Sequence, residues 1–131
     1  MRRVRAVMLA CIITATLTCG ESDPPTSTES GPGWISLELT TQTTDAGGLL
    51  MTIRGKVDSI RSTSHDTFAK QVGPLTKVVV AGNLTSGIIA EIFVPDANLA
   101  VASYTASVDQ AAARTLDQRD PADFEVAVGG Q

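Results

Sequence analysis

The chain has 131 residues, 43% of them apolar, 18% charged and 4% aromatic, which gives room for one modest domain and too little for two. Ten Lys and Arg stand against 14 Asp and Glu, and three of those cations, Arg2, Arg3 and Arg5, lie in the first five residues; without them seven cations face 14 carboxylates. Binding to phosphate backbones needs clustered positive charge, so no nucleic-acid partner is expected.

Arg2-Arg3-Val4-Arg5 is followed by an uncharged, mostly apolar run from Ala6 to Leu17. Such a run makes ~18 Å of helix against a hydrocarbon core of ~30 Å, too short to remain as a span, so residues 1–18 are read as an export signal. Thr18-Cys19-Gly20 comes next, and then a stretch to Gly33 built from Pro, Ser, Thr, Gly and acidic residues without a large apolar side chain. That composition cannot offset its own ordering entropy, and residues 19–33 are read as a flexible tether.

On these residues the N-terminus resembles a bacterial lipoprotein precursor, in which a short signal ends at a lipobox before a cysteine that becomes diacylated. The resemblance implies lipidation of Cys19, with Leu17 one place later than usual and Thr18 where Gly or Ala is common. It implies membrane attachment through a lipid anchor in the cell envelope, at the outer membrane if the host has two, since Gly20 replaces the aspartate of inner-membrane retention. Cleavage after Gly20, with ordinary secretion, stands as the alternative. Cys11 and Cys19 are the only cysteines, so residues 34–131 contain no thiol for a disulfide, a zinc site or a nucleophile.

From Trp34 the pattern becomes short apolar alternations between turn residues. Ile35, Leu37 and Leu39 alternate with polar neighbours, as do Leu49, Met51 and Ile53 with Leu50, Thr52 and Arg54. Val57 to Ser62 and Phe68 to Val72 are weaker strands, with Ile60 and Phe68 expected to face inward. Lys77 to Ala81 and Ile88 to Val94 are continuous apolar runs bounded by Gly, Pro and Asn, which suits central strands. Val101 to Val108 alternates with Ala102, Tyr104, Ala106 and Val108 on one face. Residues 110–116 are either a short helix capped by Asp109 or the continuation of that strand, and Phe124, Val126 and Val128 close the series. The expected fold is all-β: a single antiparallel β-sandwich of about seven to eight strands over residues 34–131. Its expected core is Leu37, Leu39, Met51, Ile53, Val78, Val80, Ile92, Val94, Tyr104, Val108, Phe124 and Val126. The strand patterns of Trp34 to Leu39, Asp45 to Ile53, Lys77 to Leu84 and Ala102 to Ala106 resemble small uncharacterised bacterial lipoproteins with a cohesin-like or immunoglobulin-like sandwich, a likeness that implies no activity.

No catalytic residue, metal ligand or cofactor site is expected. His65, the only histidine, lies between Ser64 and Asp66, and in extended chain its ring points away from both, whereas a hydrolytic triad must converge. Asp117, Asp120 and Asp123, and separately Asp96 and Asn98, lack the alternating acidic spacing of a calcium loop and read as solvated turns. Trp34, beside the tether, is the aromatic expected at the surface, either as a ligand contact or as a cap over the open end of the sandwich. The expected role is therefore a non-enzymatic interaction or structural module of the envelope with a protein or glycan partner. A carbohydrate- or calcium-binding module is the alternative.

Overall fold

Alternation with period two puts every second side chain on one side of a strand, and two such sheets bury their apolar sides against each other. A computed structural model describes residues 31–129 and shows this arrangement. The elements are β1 (Gly33–Thr41), β2 (Ala46–Arg54), β3 (Ser59–Arg61), β4 (Asp66–Val72), β5 (Leu75–Ala81), β6 (Gly87–Val94), α1 (Ala97–Ser103), β7 (Thr105–Ala113), β8 (Gln118–Arg119) and β9 (Phe124–Gly129). A four-stranded sheet has the order β3-β6-β1-β9 and a five-stranded sheet the order β4-β5-β2-β7-β8. All pairings are antiparallel. The fold is a β-sandwich of nine strands, two of them only two and three residues long.

Ile35, Leu37, Leu39, Ile92, Val94, Phe124 and Val126 on one sheet are buried against Leu49, Met51, Ile53, Val78 and Val80 on the other. Ten of the twelve expected core residues are buried outright, while Tyr104 and Val108 are partly buried and pack on the core from its margin. Leu84 from the β5–β6 turn, Ile89 from β6 and Ala100 from α1 complete it.

Two local readings are corrected and one open alternative is decided. Residues 101–103 are not strand but the last turn of α1. The Asp96 side chain accepts the Leu99 N–H at 3.0 Å as N-cap, and Ala97, Ala100 and Ala102 are good helix formers. Buried Ala100 suits the helical spacing as well as small alternating residues suit a strand, so tertiary contact decided between them. Residues 110–113 continue β7, and Asp109 lies inside that strand rather than capping a helix. Phe68 faces outward and is 63% exposed, because its register partner is Val79 while Thr67 and Ala69 pair with inward Val80 and Val78. A strand one residue out of phase turns its whole set of side chains over.

The sandwich has two ends. At the near end, β1 starts, the chain arrives with the Gly31 carbonyl accepting the Ala97 N–H at 2.9 Å, and α1 lies against the opening. Tyr104 is held there by a bond from its hydroxyl to the Lys56 carbonyl at 2.8 Å. Its ring leaves no room for a side chain at Gly55 (φ +140°), where a Cβ would lie 2.4 Å from Tyr104 Cζ. At the far end are the β1–β2, β3–β4, β5–β6 and β7–β8 turns.

Candidate functional site

The outer face of the five-stranded sheet follows from its register. Phe68, Val79, Leu50 and Gln110 form one row across β4, β5, β2 and β7. The next row toward the far end is Ala81, Gly48 and Ala112. These side chains are too small to fill the surface between their larger neighbours. The result is a shallow trough of ≈ 420 Å³ lined by Gly48, Leu50, Val79, Gln110, Ala112, Gln118 and Leu116.

Leu116 stands at the end of this trough in the β7–β8 turn. That turn is closed by the Ala113 N–H donating to the Asp117 carbonyl at 2.8 Å and the Leu116 N–H to the Ala113 carbonyl at 2.9 Å. Arg114 pins it further, donating to Asn83 Oδ1 at 3.2 Å and to the Thr44 carbonyl at 3.3 Å. Leu116 adopts φ +71° and is 87% exposed. A left-handed conformation costs a branched residue roughly 1–2 kcal/mol, and the exposed isobutyl group recovers none of it by burial within the domain.

On the near side of the trough lies a polar row in which Lys70, Lys77, Thr52 and Ser107 are register neighbours. Leu50 pairs with Gln110 and Met51 with Val108, so Asp109 sits at a bulge between them. Thr52 Oγ1 donates to Asp109 Oδ2 at 2.5 Å and accepts from Lys77 Nζ at 2.5 Å, while Lys77 Nζ also donates to Asp109 Oδ2 at 2.9 Å. The Thr52 hydroxyl bond, then the Lys77 bond, hold the Asp109 carboxyl below the usual carboxylate range against a smaller desolvation effect, with the Lys77 charge adding least. The Thr52 hydroxyl is thus bonded on both sides within the ion pair. The triad fixes the bulge and places a closed polar patch beside the apolar row.

The opposite sheet treats its aromatics differently. Trp34 is half-buried on the outer face of β1 beside its register partner Phe93, with ring centroids 5.3 Å apart and planes at 62°. Arg61 lies over the indole, its Cζ 3.9 Å from the centroid, and its Nε donates to Glu91 Oε2 at 2.6 Å. One face of the ring is thus occupied by a guanidinium, which is a cation–π contact and not a free stacking platform.

Cys19, the expected lipidation site, and Cys11 lie outside the described residues. His65 Nδ1 is 3.1 Å from the Ile89 carbonyl and Nε2 is 3.1 Å from the Asn83 carbonyl, so the ring bridges β6 and the β5–β6 turn. Asp96 caps α1, Asp120 accepts the Ala122 N–H at 3.0 Å, and Asp117 accepts from Thr115 Oγ1 at 2.8 Å. Among the described residues no group of three or more His, Cys, Asp or Glu is placed to hold a metal ion.

The outward row and the Lys77–Thr52–Asp109 triad were not picked out from the sequence. The triad joins residues 25 and 32 positions apart that only strand pairing brings together. An outward Phe68 was inferable from the polar Lys70 two places on, which shares its face. No family model, curated protein or solved structure matches this chain.

Proposed function

We propose that the protein is an exported lipoprotein, anchored in the cell envelope through Cys19, whose cohesin-like or immunoglobulin-like sandwich is a non-enzymatic module that docks a partner protein. The docking face is the outer side of the five-stranded sheet. The observation that carries this reading is the row Phe68–Val79–Leu50, which runs across three strands to a trough ended by Leu116. Contiguous exposed apolar surface in a small domain marks an interaction site more often than a neutral one. Leu116 adds to this, because nothing within the domain covers its exposed side chain. The closed triad beside the row supplies a polar rim, as protein interfaces have around apolar centres.

The anchor and the docking face are tested separately. In cells fed an alkyne fatty acid, wild-type protein takes up label and Cys19→Ser does not; label that persists in Cys19→Ser and vanishes in Cys11→Ser reverses the assignment. For the face, a photo-crosslinking side chain is placed at Gln110, inside the trough, or at Ile88, exposed on the other sheet. A discrete adduct from Gln110, abolished by Leu116→Lys and absent from Ile88, supports the reading. Equal adducts from both positions refute it.

A further inference from the structure

The charges of the domain are sorted by end. Seven cations and eleven carboxylates lie within residues 31–129, a net excess of acid. The far end holds Asp45, Asp66, Asp117, Asp120 and Asp123 against Arg114 and Arg119. At the near end Arg54, Lys56 and Lys70 are exposed, and the carboxylates close by are engaged: Asp58 with Lys56 at 3.4 Å, Asp109 with Lys77 and Thr52, and Asp96 as the cap of α1. Arg54 and Lys70 make no ion pair among the described residues. Lys70 stands opposite Lys77 across β4 and β5, a like-charge pairing that costs stability in a sheet.

Apolar side chains project at the same end: Leu99 (59% exposed) and Val101 on α1, and Val72 (52%) at the end of β4. The chain preceding the domain also enters here, at Gly31 beside α1. A lysine on an edge strand guards against strand addition, which would explain Lys70 but neither Arg54 nor the exposed pair on α1.

We infer that the near end of the sandwich, through Arg54, Lys56, Lys70, Leu99, Val101 and Val72, docks directly on an anionic phospholipid surface. Net charge does not oppose this, because screening limits each carboxylate to about 10 Å and five of the eight described aspartates lie at the other end, while Asp58, Asp96 and Asp109 are engaged by neighbours. Each cation at such a surface is worth roughly fivefold in partitioning, and shallow apolar side chains add to it. In that pose the far end points away from the membrane, and the outer face of the five-stranded sheet stands upright and accessible from the side. The inference goes beyond the protein-docking reading and requires neither that reading nor lipid on Cys19.

Trp34 is the only tryptophan in the chain and starts β1 at the near end, so it reports the approach of this end. The full chain is mixed with vesicles of phosphatidylcholine, with or without phosphatidylglycerol, carrying a dansyl headgroup lipid as energy acceptor. Wild type is expected to show stronger transfer on the phosphatidylglycerol vesicles, declining with salt. The variant Arg54→Glu/Lys56→Glu/Lys70→Glu requires at least tenfold more anionic lipid for the same transfer. Arg114→Glu, at the far end, stays within twofold of wild type. Residues 1–30 are identical in all variants, so their own affinity cancels. Equal transfer from wild type and the triple variant, equal transfer on both vesicle types, or an Arg114→Glu effect as large as that of Arg54→Glu alone overturns the inference. The partner reading fails by a different route, the crosslink at Gln110.

Discussion

The two outer faces of the sandwich hold their aromatic side chains under opposite conditions, although each face also exposes an aliphatic one, Ile88 or Leu116. On the four-stranded sheet, Trp34 is packed against Phe93 and covered by Arg61, which is itself held by Glu91. On the five-stranded sheet, Phe68 and Leu116 are exposed, and the neighbouring charges Lys77 and Asp109 are bonded to each other and to Thr52 rather than laid over the apolar row. An aromatic on a sheet face is therefore a weak pointer to a binding site until its neighbours are known. The tryptophan, the more conspicuous residue in the sequence, is internally satisfied, while a leucine in a turn is not.

The contrast depends on a shared core, and the largest expected effect is there. Ile92→Ala, on the inner side of the four-stranded sheet, should lower unfolding free energy by about 2–5 kcal/mol, whereas Ile88→Ala, four residues earlier on the exposed side, should change it by less than about 0.5 kcal/mol. Urea denaturation curves that move equally for both would mean the faces of β6 are misassigned.

Gly47→Ala tests the platform under the trough. A Cβ there would lie 2.7 Å from Arg114 Cα and N, backbone atoms that cannot rotate away, so β2 or the β7–β8 turn must shift. A loss of about 2 kcal/mol or more is expected, as for other steric insertions into packed structure. Undiminished stability together with unchanged crosslinking at Gln110 would remove the link between the glycine and the trough.

Trp34→Ala should cost about 1–3 kcal/mol, from lost apolar burial and the cation–π contact, without affecting the Gln110 adduct. Loss of the adduct with little loss of stability would transfer the binding role to the tryptophan face.

Acid should loosen the triad. The Asp109 carboxyl is held below its ordinary 3.8, so its contribution to stability is complete at neutral pH. As the folded state must protonate a lowered group, that contribution fades once pH falls below the ordinary value and through the depressed one. Asp109→Asn should accordingly flatten the fall of the urea midpoint below about pH 4, and a wild-type slope retained in Asp109→Asn would assign the acid sensitivity to other carboxylates.

The smallest effect has an unusual sign. Leu116→Gly relieves a left-handed leucine and should raise stability by about 0.5–1 kcal/mol while weakening partner capture. A destabilised Leu116→Gly would show that the leucine packs usefully within the domain and would weaken the case for the trough.

Fold class was legible because it rests on local pattern: Ile35-Leu37-Leu39 and Leu49-Met51-Ile53 have one solution as half-buried strands, and of the ten expected core positions that are buried, six followed from such alternations and four, Val78, Val80, Ile92 and Val94, from continuous apolar runs. Where the residues are small, as from Ala97 to Ala102, helix and strand bury alanine equally well, and the Asp96 cap with the open end of the sandwich chose the helix. The weakly patterned β4 took its phase from pairing with β5, which turned Phe68 outward. The candidate site is almost wholly of this second kind. Its row, trough and triad join five strands, and the left-handed turn at Leu116 is closed by hydrogen bonds from β7 and held by Arg114 through contacts with Thr44 and Asn83. Local sequence determines which side chains want to be buried; which of them remain outside is settled by the register and closure of the sheets, since those determine how much inner surface there is to fill.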